Sequence, residues 1–194
     1  MKFLRRTVAE ESGAAVPVLE ELQISTAPAD EAREPRALAA EILAKTAILQ
    51  NRGKRIRLIH AAARIEAPWT SFFLVGLIAD PIEEVRGIAV RGLIARDDCP
   101  LEDVCKRLTR PPWFAKSAAL QILAAKRIPG TARFIRAVIE DPNADVRRSA
   151  AAALGEIGGA ESRTLLVRLG RDASPPVRAA AQAALDKICD FKFT

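Results

Sequence analysis

Catalysis in this chain would have to be built around one imidazole, because His60 is the only histidine in the sequence. A Ser/His or Cys/His couple would depend on it alone, and no nucleophile elbow or glycine-rich phosphate loop stands near it. His60 also falls where other copies of an internal repeat carry alanine. We therefore expect His60 to be buried and structural, and we predict no catalytic residue and no enzyme activity.

Pairs of adjacent acidic residues are the other possible source of acid–base or metal chemistry. They are Glu10-Glu11, Glu20-Glu21, Glu83-Glu84 and Asp97-Asp98. Neighbouring residues on a helix point in different directions, so the two carboxylates of a pair do not converge on one proton or ion. No run of His, Cys, Asp and Glu has the spacing of a metal site. We expect solvated acids, no metal ion and no cofactor.

The three cysteines, Cys99, Cys105 and Cys189, are odd in number and form no CxxC motif. This pattern argues against a disulfide framework and predicts buried free thiols in a reducing compartment. The start MKFLRR is not followed by an apolar stretch, and the most apolar run, residues 72–79, is too short to cross a bilayer. The sequence predicts a cytoplasmic protein without a membrane partner.

The net charge of +6 is unevenly distributed along the chain. Residues 1–34 carry four basic and seven acidic groups, which leaves +9 for residues 35–194. A basic body can attract nucleic acid, an acidic protein or a membrane surface, or can simply be a solvated surface. Aromatic residues are only 5% of the chain, and alanine supplies much of the apolar content. Small side chains of high helix propensity favour closely packed helices over sheets.

An internal repeat of about thirty residues organises most of the chain. In three clear copies, residues 80–86, 141–147 and 172–178, an aspartate is followed five positions later by Val-Arg. Two degenerate copies begin at Asn51 and Arg110. The apolar anchors are then residues 56, 85, 115, 146 and 177, spaced 29 to 31 apart.

Each anchor begins the apolar stripe of a helix, because apolar residues recur four and eight positions later in most copies. This helix is predicted to begin near the Asp-Pro pair, with Asp80 as N-cap, Pro81 at N1 and Glu83 at N3. Another helix precedes it, and Gly or Pro ends the pair. The sequence thus predicts five helix pairs, at residues 35–66, 67–97, 100–128, 130–158 and 160–189.

The run Asp-Pro-x-x-x-Val-Arg-x-x-Ala-x-x-x-Leu, at Asp80, Asp141 and Asp172, resembles the HEAT-repeat family, in particular the short HEAT-like repeats of phycobilisome lyases. The resemblance covers about residues 35–190. It implies an all-α fold, an α-solenoid of about five helix pairs wound into a right-handed superhelix. It also implies that the second helix of each pair lines a concave binding face.

The same resemblance implies a ladder of polar contacts between the loop aspartates and the basic residue after each anchor. Its members would be Asp80, Asp141 and Asp172 with Arg57, Arg86, Lys116, Arg147 and Arg178. Arg110 replaces the acid in the third copy, which interrupts the pattern. A row of cations at one helical position could also be a binding track, but recurrence in every repeat favours a structural contact.

Residues 1–34 do not fit the repeat and are predicted to be an acidic extension of the solenoid formed by residues 35–194. Val16, Leu19 and Leu22 predict a short amphipathic helix around residues 15–24, followed by a linker over residues 25–35. The extension could cap the first repeat, dock to a partner or remain disordered. We expect capping, because the end of a solenoid exposes apolar surface that has to be covered.

Basic residues outside the ladder, together with one tryptophan, are the candidates for partner binding. They are Arg64, Arg91, Trp113, Lys126, Arg127 and Arg148. With no catalytic constellation, we expect an adaptor or scaffold that binds a protein along the concave face. Nucleic-acid binding is the alternative, through the basic body and a likeness to HEAT-like DNA glycosylases. A third hypothesis, by family analogy, is a lyase-type subunit acting on a chromophore protein. The oligomeric state is left open.

Overall fold

The computed structural model describes residues 17–24 and 34–190, which form helices joined by short loops. Val16 and most of the predicted linker, residues 25–33, lie outside the described residues. The chain divides into two compact units, Met1–Pro100 and Leu101–Thr194. We refer to them as the N-terminal unit and the C-terminal unit.

The N-terminal unit contains five helices within its described residues. They are α1 (residues 17–21), α2 (Pro35–Ala47), α3 (Arg52–Ala63), α4 (Pro68–Leu77) and α5 (Glu83–Ala95). Pro35 and Pro68 begin α2 and α4, where the fixed φ of proline suits the first helical turn. Helix α2 packs on α4 and α3 packs on α5, so that corresponding helices of the two pairs stack on each other.

The C-terminal unit contains six helices within its described residues. They are α6 (Leu101–Lys106), α7 (Trp113–Lys126), α8 (Ala132–Ile135), α9 (Ala144–Ile157), α10 (Gly159–Leu169) and α11 (Pro175–Asp190). Short 3-10 turns at Arg107–Thr109 and Arg136–Val138 extend α6 and α8. The longer second helices pack in the order α7, α9, α11, which forms the core of this unit.

All five predicted helix pairs are present, which confirms the all-helical repeat fold. The second helices begin at residues 52, 83, 113, 144 and 175, which are 31, 30, 31 and 31 residues apart. They begin three residues after each loop aspartate, so the predicted N-cap role of Asp80 is wrong. The N-cap is Ile82, whose N–H donates to the Asp80 carboxylate at 2.9 Å. This Asx turn ends the loop before the helix starts.

The predicted apolar stripe forms the core of the last four copies. The anchors and the alanines four positions later are fully buried: Val85, Ala89, Ala115, Ala119, Val146, Ala150, Val177 and Ala181. The first copy differs, because Ile56 is half-buried and His60 is exposed. Leu58 and Ala62 occupy the core there instead. The expectation of a buried His60 is therefore wrong. The start of α3 shows that the first copy lies two residues earlier in the sequence than the repeat alignment had assumed.

Close helix packing in the C-terminal unit depends on Gly155 of α9. A β-carbon added to Gly155 would lie 2.7 Å from the Ala184 β-carbon and 3.1 Å from its α-carbon. Neither atom belongs to a flexible side chain, so the helices would have to separate. The small residues that the sequence shows in the second helices thus set the distance between α9 and α11.

Helix α1 lies against the N-terminal unit through an apolar face and two polar contacts. Its buried residues, with those just after it, are Val18, Leu19, Leu22 and Ile24. The Lys45 ammonium donates to the Gln23 carbonyl oxygen at 3.1 Å, and the Lys54 ammonium lies 3.2 Å from the Glu21 carboxylate. Residues 17–24 therefore pack onto the beginning of the repeat array.

All three cysteines are free thiols, but only Cys105 is buried; Cys99 is half-buried and Cys189 is exposed. Among residues 17–24 and 34–190, no group of three or more His, Cys, Asp and Glu side chains is arranged to hold a metal ion. Within the same residues, no helix combines the length and apolarity needed to span a membrane.

We predict that Gly155→Ala destabilises the protein, although alanine is the better helix former by about 1 kcal/mol. The overpacking against Ala184 should lower the free energy of unfolding by about 1–3 kcal/mol, as measured by urea denaturation followed by circular dichroism. Gly53→Ala is the matched control, because its added β-carbon would meet only the Asn51 side chain, at 3.5 Å. Equal effects of the two substitutions would contradict this account of the packing.

Candidate functional site

Three loop aspartates make the same local contact at the start of a second helix. Oδ1 of Asp80, Asp141 and Asp172 accepts a hydrogen bond from the backbone N–H two residues later, at 2.9, 2.9 and 2.8 Å. Each carboxylate is largely withdrawn from solvent. A buried carboxylate needs a cation or several donors to offset its lost hydration, so each aspartate requires a further partner.

That partner is a cation 25 residues earlier, on the second helix of the preceding pair. Arg55 binds Asp80 with two guanidinium nitrogens, the Lys116 ammonium lies 2.6 Å from Asp141, and Arg147 binds Asp172 at 2.7 and 2.9 Å. Bidentate Arg–carboxylate pairs are among the stronger charge-assisted contacts. These pairs connect consecutive repeats within each unit.

The arginines at this helical position also hold their own loop. Nη1 of Arg86, Arg147 and Arg178 donates to the carbonyl oxygen of the loop aspartate six residues earlier, at 2.8, 2.7 and 2.8 Å. Arg147 therefore joins two loops, one through a carbonyl oxygen and the next through a carboxylate. We define the polar ladder as Arg55–Asp80, Lys116–Asp141 and Arg147–Asp172, with the carbonyl contacts of Arg86, Arg147 and Arg178.

The structure gives the first ladder position to Arg55, whereas the sequence had assigned it to Arg57. Asn51 explains the difference. Its side chain N-caps α3 by accepting from the Lys54 N–H at 2.8 Å, as Asn143 N-caps α9. Asn51 is therefore the equivalent of Asn143 and not of the loop aspartate, which moves the register by two residues. Alignment of the two asparagines would have revealed Arg55.

The pKa values of the last ladder pair reflect their mutual contact. Hydrogen bonds from Arg147 lower the pKa of Asp172 below its usual value, against the opposing effect of burial. The same hydrogen bond raises the pKa of Arg147. Both side chains are mostly buried, with 15% of Arg147 and 8% of Asp172 exposed. The pair is therefore ionised at neutral pH.

A groove between α3 and α5 brings together two of the predicted partner-binding residues and two residues assigned to other roles. Its cavity of about 480 Å³ is lined by Ile56, Arg57, His60, Ala61, Arg64, Glu84, Ile88 and Arg91. Arg64 and Arg91 were expected here as binding residues. Arg57, displaced from the ladder, and the exposed His60 join them. We refer to this cavity as the α3–α5 groove.

The three groove arginines have no partner within the described residues. The side chains of Arg57, Arg64 and Arg91 are exposed and make no hydrogen bond or ion pair with residues 17–24 or 34–190. The other described lysines and arginines of the unit each make a contact within that part of the chain: Arg36, Lys45, Arg52, Lys54, Arg55, Arg86 and Arg96. Among residues 17–24 and 34–100, unpaired positive charge is thus confined to one groove.

The remaining predicted binding residues lie in the C-terminal unit. Trp113 begins α7, is 48% exposed and meets the Phe114 ring edge-on with centroids 5.9 Å apart. Lys126 ends α7 and has a partner, and Arg148 contacts Asp145 at 3.1 Å. Arg127 binds the Glu156 carboxylate at 2.5 Å. Unlike the groove arginines, these three cations already have partners.

Glu156 lines a second cavity, of about 680 Å³, in the C-terminal unit. Its carboxylate accepts hydrogen bonds from Lys187 and Arg127, which lower its pKa against the opposing effect of burial. Arg163, also in the wall, has its Nη2 atom 3.6 Å from the Cys189 sulfur. The cations of this cavity are therefore engaged by neighbours, and Glu156 joins α7, α9 and α11.

One polar cluster in the N-terminal unit gave no signal in the repeat pattern. Arg96 Nε donates to Ser71 Oγ at 2.8 Å and to Asp98 Oδ1 at 2.9 Å, and Nη1 donates to the Ile65 carbonyl at 3.0 Å. Burial acts to raise the pKa of Asp98, but the hydrogen bonds from Arg96 and Ser71 outweigh it and lower the pKa. Asp98 is exposed, as expected of a solvated acid, and it also fastens a loop.

These contacts define a helical repeat protein, in which consecutive helix pairs within each unit are joined by stacked second helices and a charged loop contact. The model of the HEAT repeats family matches residues 101–186. Residues 101–186 are therefore HEAT repeats, which confirms the resemblance drawn from the sequence. The match concerns HEAT repeats in general, and the likeness to the phycobilisome lyase type stays a prediction. A search of curated proteins finds no match.

We predict that Asp172→Asn lowers the free energy of unfolding by about 1.5–3 kcal/mol at pH 7, because Asn keeps the acceptor for the Ser174 N–H but loses the charge bound by Arg147. The folded pKa of Asp172 lies below its unfolded value of about 3.9. Its contribution is therefore complete above that value and is lost as the pH falls through the folded pKa. Urea unfolding at pH 7 and pH 3 should show the difference between wild type and variant shrinking at low pH.

Asp186→Asn is the control for that measurement, because Asp186 is exposed on α11 and accepts only from Gln182. Its effect should stay within about 0.5 kcal/mol at both pH values. A wild-type–Asp172→Asn difference that is unchanged between pH 7 and pH 3 would contradict the ionised pair.

The register of the first repeat is tested by comparing Arg55→Gln with Arg57→Gln. Loss of Arg55 leaves the buried Asp80 carboxylate without its cation and should lower the free energy of unfolding by about 3 kcal/mol. Loss of Arg57, which is exposed and unpaired, should change it by less than about 0.5 kcal/mol. Thermal and urea denaturation measure both, and the opposite order would restore Arg57 to the ladder.

Proposed function

We propose that this protein is a non-enzymatic adaptor that binds an acidic segment of a partner protein in the α3–α5 groove. The observation that carries the proposal is the convergence of Arg57, Arg64 and Arg91 on one cavity without acidic partners. Like charges held together raise the free energy of the unbound protein, and an anionic ligand relieves that repulsion. Such an arrangement favours binding over a purely structural role.

The size and charge of the groove favour a peptide segment over a nucleic acid. Residues 17–24 and 34–100 carry ten basic and ten acidic groups, so the positive charge is local to the groove and is not a property of the whole unit. Duplex binding draws on many phosphate contacts along a track of cations. Single-strand binding adds aromatic platforms, and no aromatic residue lines this cavity. A few carboxylates on one segment match it better.

The position of the groove also supports an adaptor. It lies between two second helices, where the family resemblance expects partners to bind, and both helices are fixed by the ladder and the core rather than by the groove arginines. Arg57, Arg64 and Arg91 can therefore exchange solvent for a ligand without disturbing the packing beneath them. Leu58, Ile59 and Val85, on the same helices, supply that packing.

The test is fluorescence anisotropy with a labelled hexapeptide, Glu-Glu-Asp-Glu-Glu-Asp, at low ionic strength. We expect the variant Arg57→Gln/Arg64→Gln/Arg91→Gln to weaken binding by about 10- to 100-fold, since three partly solvated contacts contribute about 0.5–1 kcal/mol each. A lysine-containing peptide of the same length should not bind to the wild type.

The matched control is Arg110→Gln/Arg133→Gln/Arg171→Gln, which removes the same charge from exposed positions of the C-terminal unit. It should leave the peptide affinity within about twofold. An equal loss of peptide affinity in both variants would show that binding depends on net charge alone and not on the groove. A duplex that binds more tightly than the peptide, with affinity falling steeply in salt, would favour the nucleic-acid hypothesis instead.

A further inference from the structure

We infer that the α3–α5 groove recognises a phosphate group on a side chain of the partner protein, so that phosphorylation of the partner switches binding on. This inference rests on the proposed function and makes it more specific. It follows from the type of cation in the groove, from the placement of the cations, and from the charge that they leave unbalanced.

All three unpaired cations of the groove are arginines. A guanidinium presents a rigid fork of donors that matches two oxygens of a phosphate or carboxylate at once, whereas an ammonium acts as a point charge. The described lysines of the same unit are used elsewhere, Lys45 on the Gln23 carbonyl and Lys54 on Glu21. The groove thus combines the side chains best suited to an oxyanion with several accepting oxygens.

The repeat geometry directs these arginines at one space. Arg57 lies on α3 and Arg64, seven residues later, is the C-cap of that helix, so the two lie on one face, about 10 Å apart along the helix axis. His60 lies between them, and Arg91 occupies the same repeat position on α5, 31 residues later. Stacked helices lie about 8–10 Å apart. Three guanidinium groups can therefore reach the space above His60 from both helices.

Gly87 leaves room for the third guanidinium beside the backbone of α5. A β-carbon at Gly87 would come within 3.2 Å of Arg91 Nη1, so the Arg91 side chain folds back over the backbone of α5. Glycine at this position lets the guanidinium lie close to the helix at the groove wall. The side chain makes no bond to a described residue in this position, which leaves its donors available.

The charge of the lining matches a phosphate dianion better than a single carboxylate. The three arginines of the lining carry three positive charges and Glu84 carries one negative charge; Glu84 also lies 4.0 Å from Arg52. A phosphoserine side chain carries about −1.5 to −2 at neutral pH. It would neutralise the two remaining charges, whereas one carboxylate would leave one uncompensated. Glu84 opposes any anion, so a strongly charged ligand is needed to overcome it.

The cavity around Glu156 in the C-terminal unit does not compete as a phosphate site. Its Arg127 and Lys187 are bound to Glu156, and Arg163 contacts Cys189. An incoming phosphate would have to break an existing ion pair before it gained one. In the α3–α5 groove nothing of this kind has to be broken for Arg57, Arg64 or Arg91.

The experiment uses three labelled peptides, Gly-Ala-Gly-X-Gly-Ala-Gly, with X as serine, glutamate or phosphoserine, and measures affinity for the full chain by anisotropy. We expect the phosphoserine peptide to bind at least tenfold more tightly than the glutamate peptide, and the serine peptide not to bind. Arg57→Lys/Arg64→Lys/Arg91→Lys keeps the charge but loses the fork, and should reduce that preference to about threefold, which is the part due to the second charge of the phosphate.

Stability measurements separate binding from a structural role. The variant Arg57→Gln/Arg64→Gln/Arg91→Gln should unfold at the same temperature as the wild type or higher, because it removes repulsion and no bond. Phosphoserine peptide should raise the unfolding temperature of the wild type and not that of the variant. A fall in the unfolding temperature of the unbound variant would show that the arginines are structural, and would overturn the inference.

The remaining outcomes distinguish the inference from the function on which it rests. Equal groove-dependent affinity for glutamate and phosphoserine peptides would overturn the phosphate preference and leave the adaptor function standing. Two outcomes would overturn both the inference and the adaptor function. In the first, every peptide binds equally well to the wild type and to the groove variant; in the second, neither these peptides nor the acidic hexapeptide bind at all. Tighter groove-dependent binding to vesicles containing a phosphoinositide, or to duplex DNA, than to the phosphoserine peptide would overturn the inference in favour of that source of phosphate.

Discussion

The interaction on which this structure depends is a buried aspartate in the loop between two helices, neutralised by a cation 25 residues earlier. Asp172 and Arg147 show it most completely, because Arg147 holds its own loop by a carbonyl oxygen and the next loop by a carboxylate. A carboxylate withdrawn from water is unfavourable without such a partner. Because the aspartate and its cation must stand 25 residues apart, the pair links the length of a repeat to the positions of its charged residues. It also fixes which residues of each second helix face the loops.

The cations of a repeat that do not belong to the ladder are available for other contacts. Arg55 and Arg57 are two residues apart on α3, yet one is bound to a buried acid and the other lies exposed beside Arg64 and Arg91. A two-residue difference on a helix rotates a side chain by more than half a turn. This rotation separates a residue that maintains the stack from residues that are available to a ligand.

The polar contacts outside the ladder show how the rest of the charge is distributed. Glu156 joins three second helices of the C-terminal unit through Arg127 and Lys187, and Arg96 fastens a loop of the N-terminal unit through Ser71 and Asp98. Neither recurs in the repeat, so neither could be found by aligning copies. In each case cations already serve the fold, and the α3–α5 groove is distinguished by arginines that do not.

The sequence by itself determined the repeat, the five helix pairs and the core, because buried positions such as Val146 and Ala150 recur with the period of a helix and of the repeat. It also indicated that Arg64 and Arg91 lie outside the ladder. Only the tertiary structure decided that Arg55 binds Asp80, that His60 is exposed, and that Arg57, Arg64 and Arg91 share one groove. The physical reason is that a periodic pattern specifies which side of a helix is buried. The register between helices decides which of their charged residues meet. In the degenerate first repeat, that register is fixed by the helix start at Asn51 and by the Arg55–Asp80 contact, and not by an apolar signature.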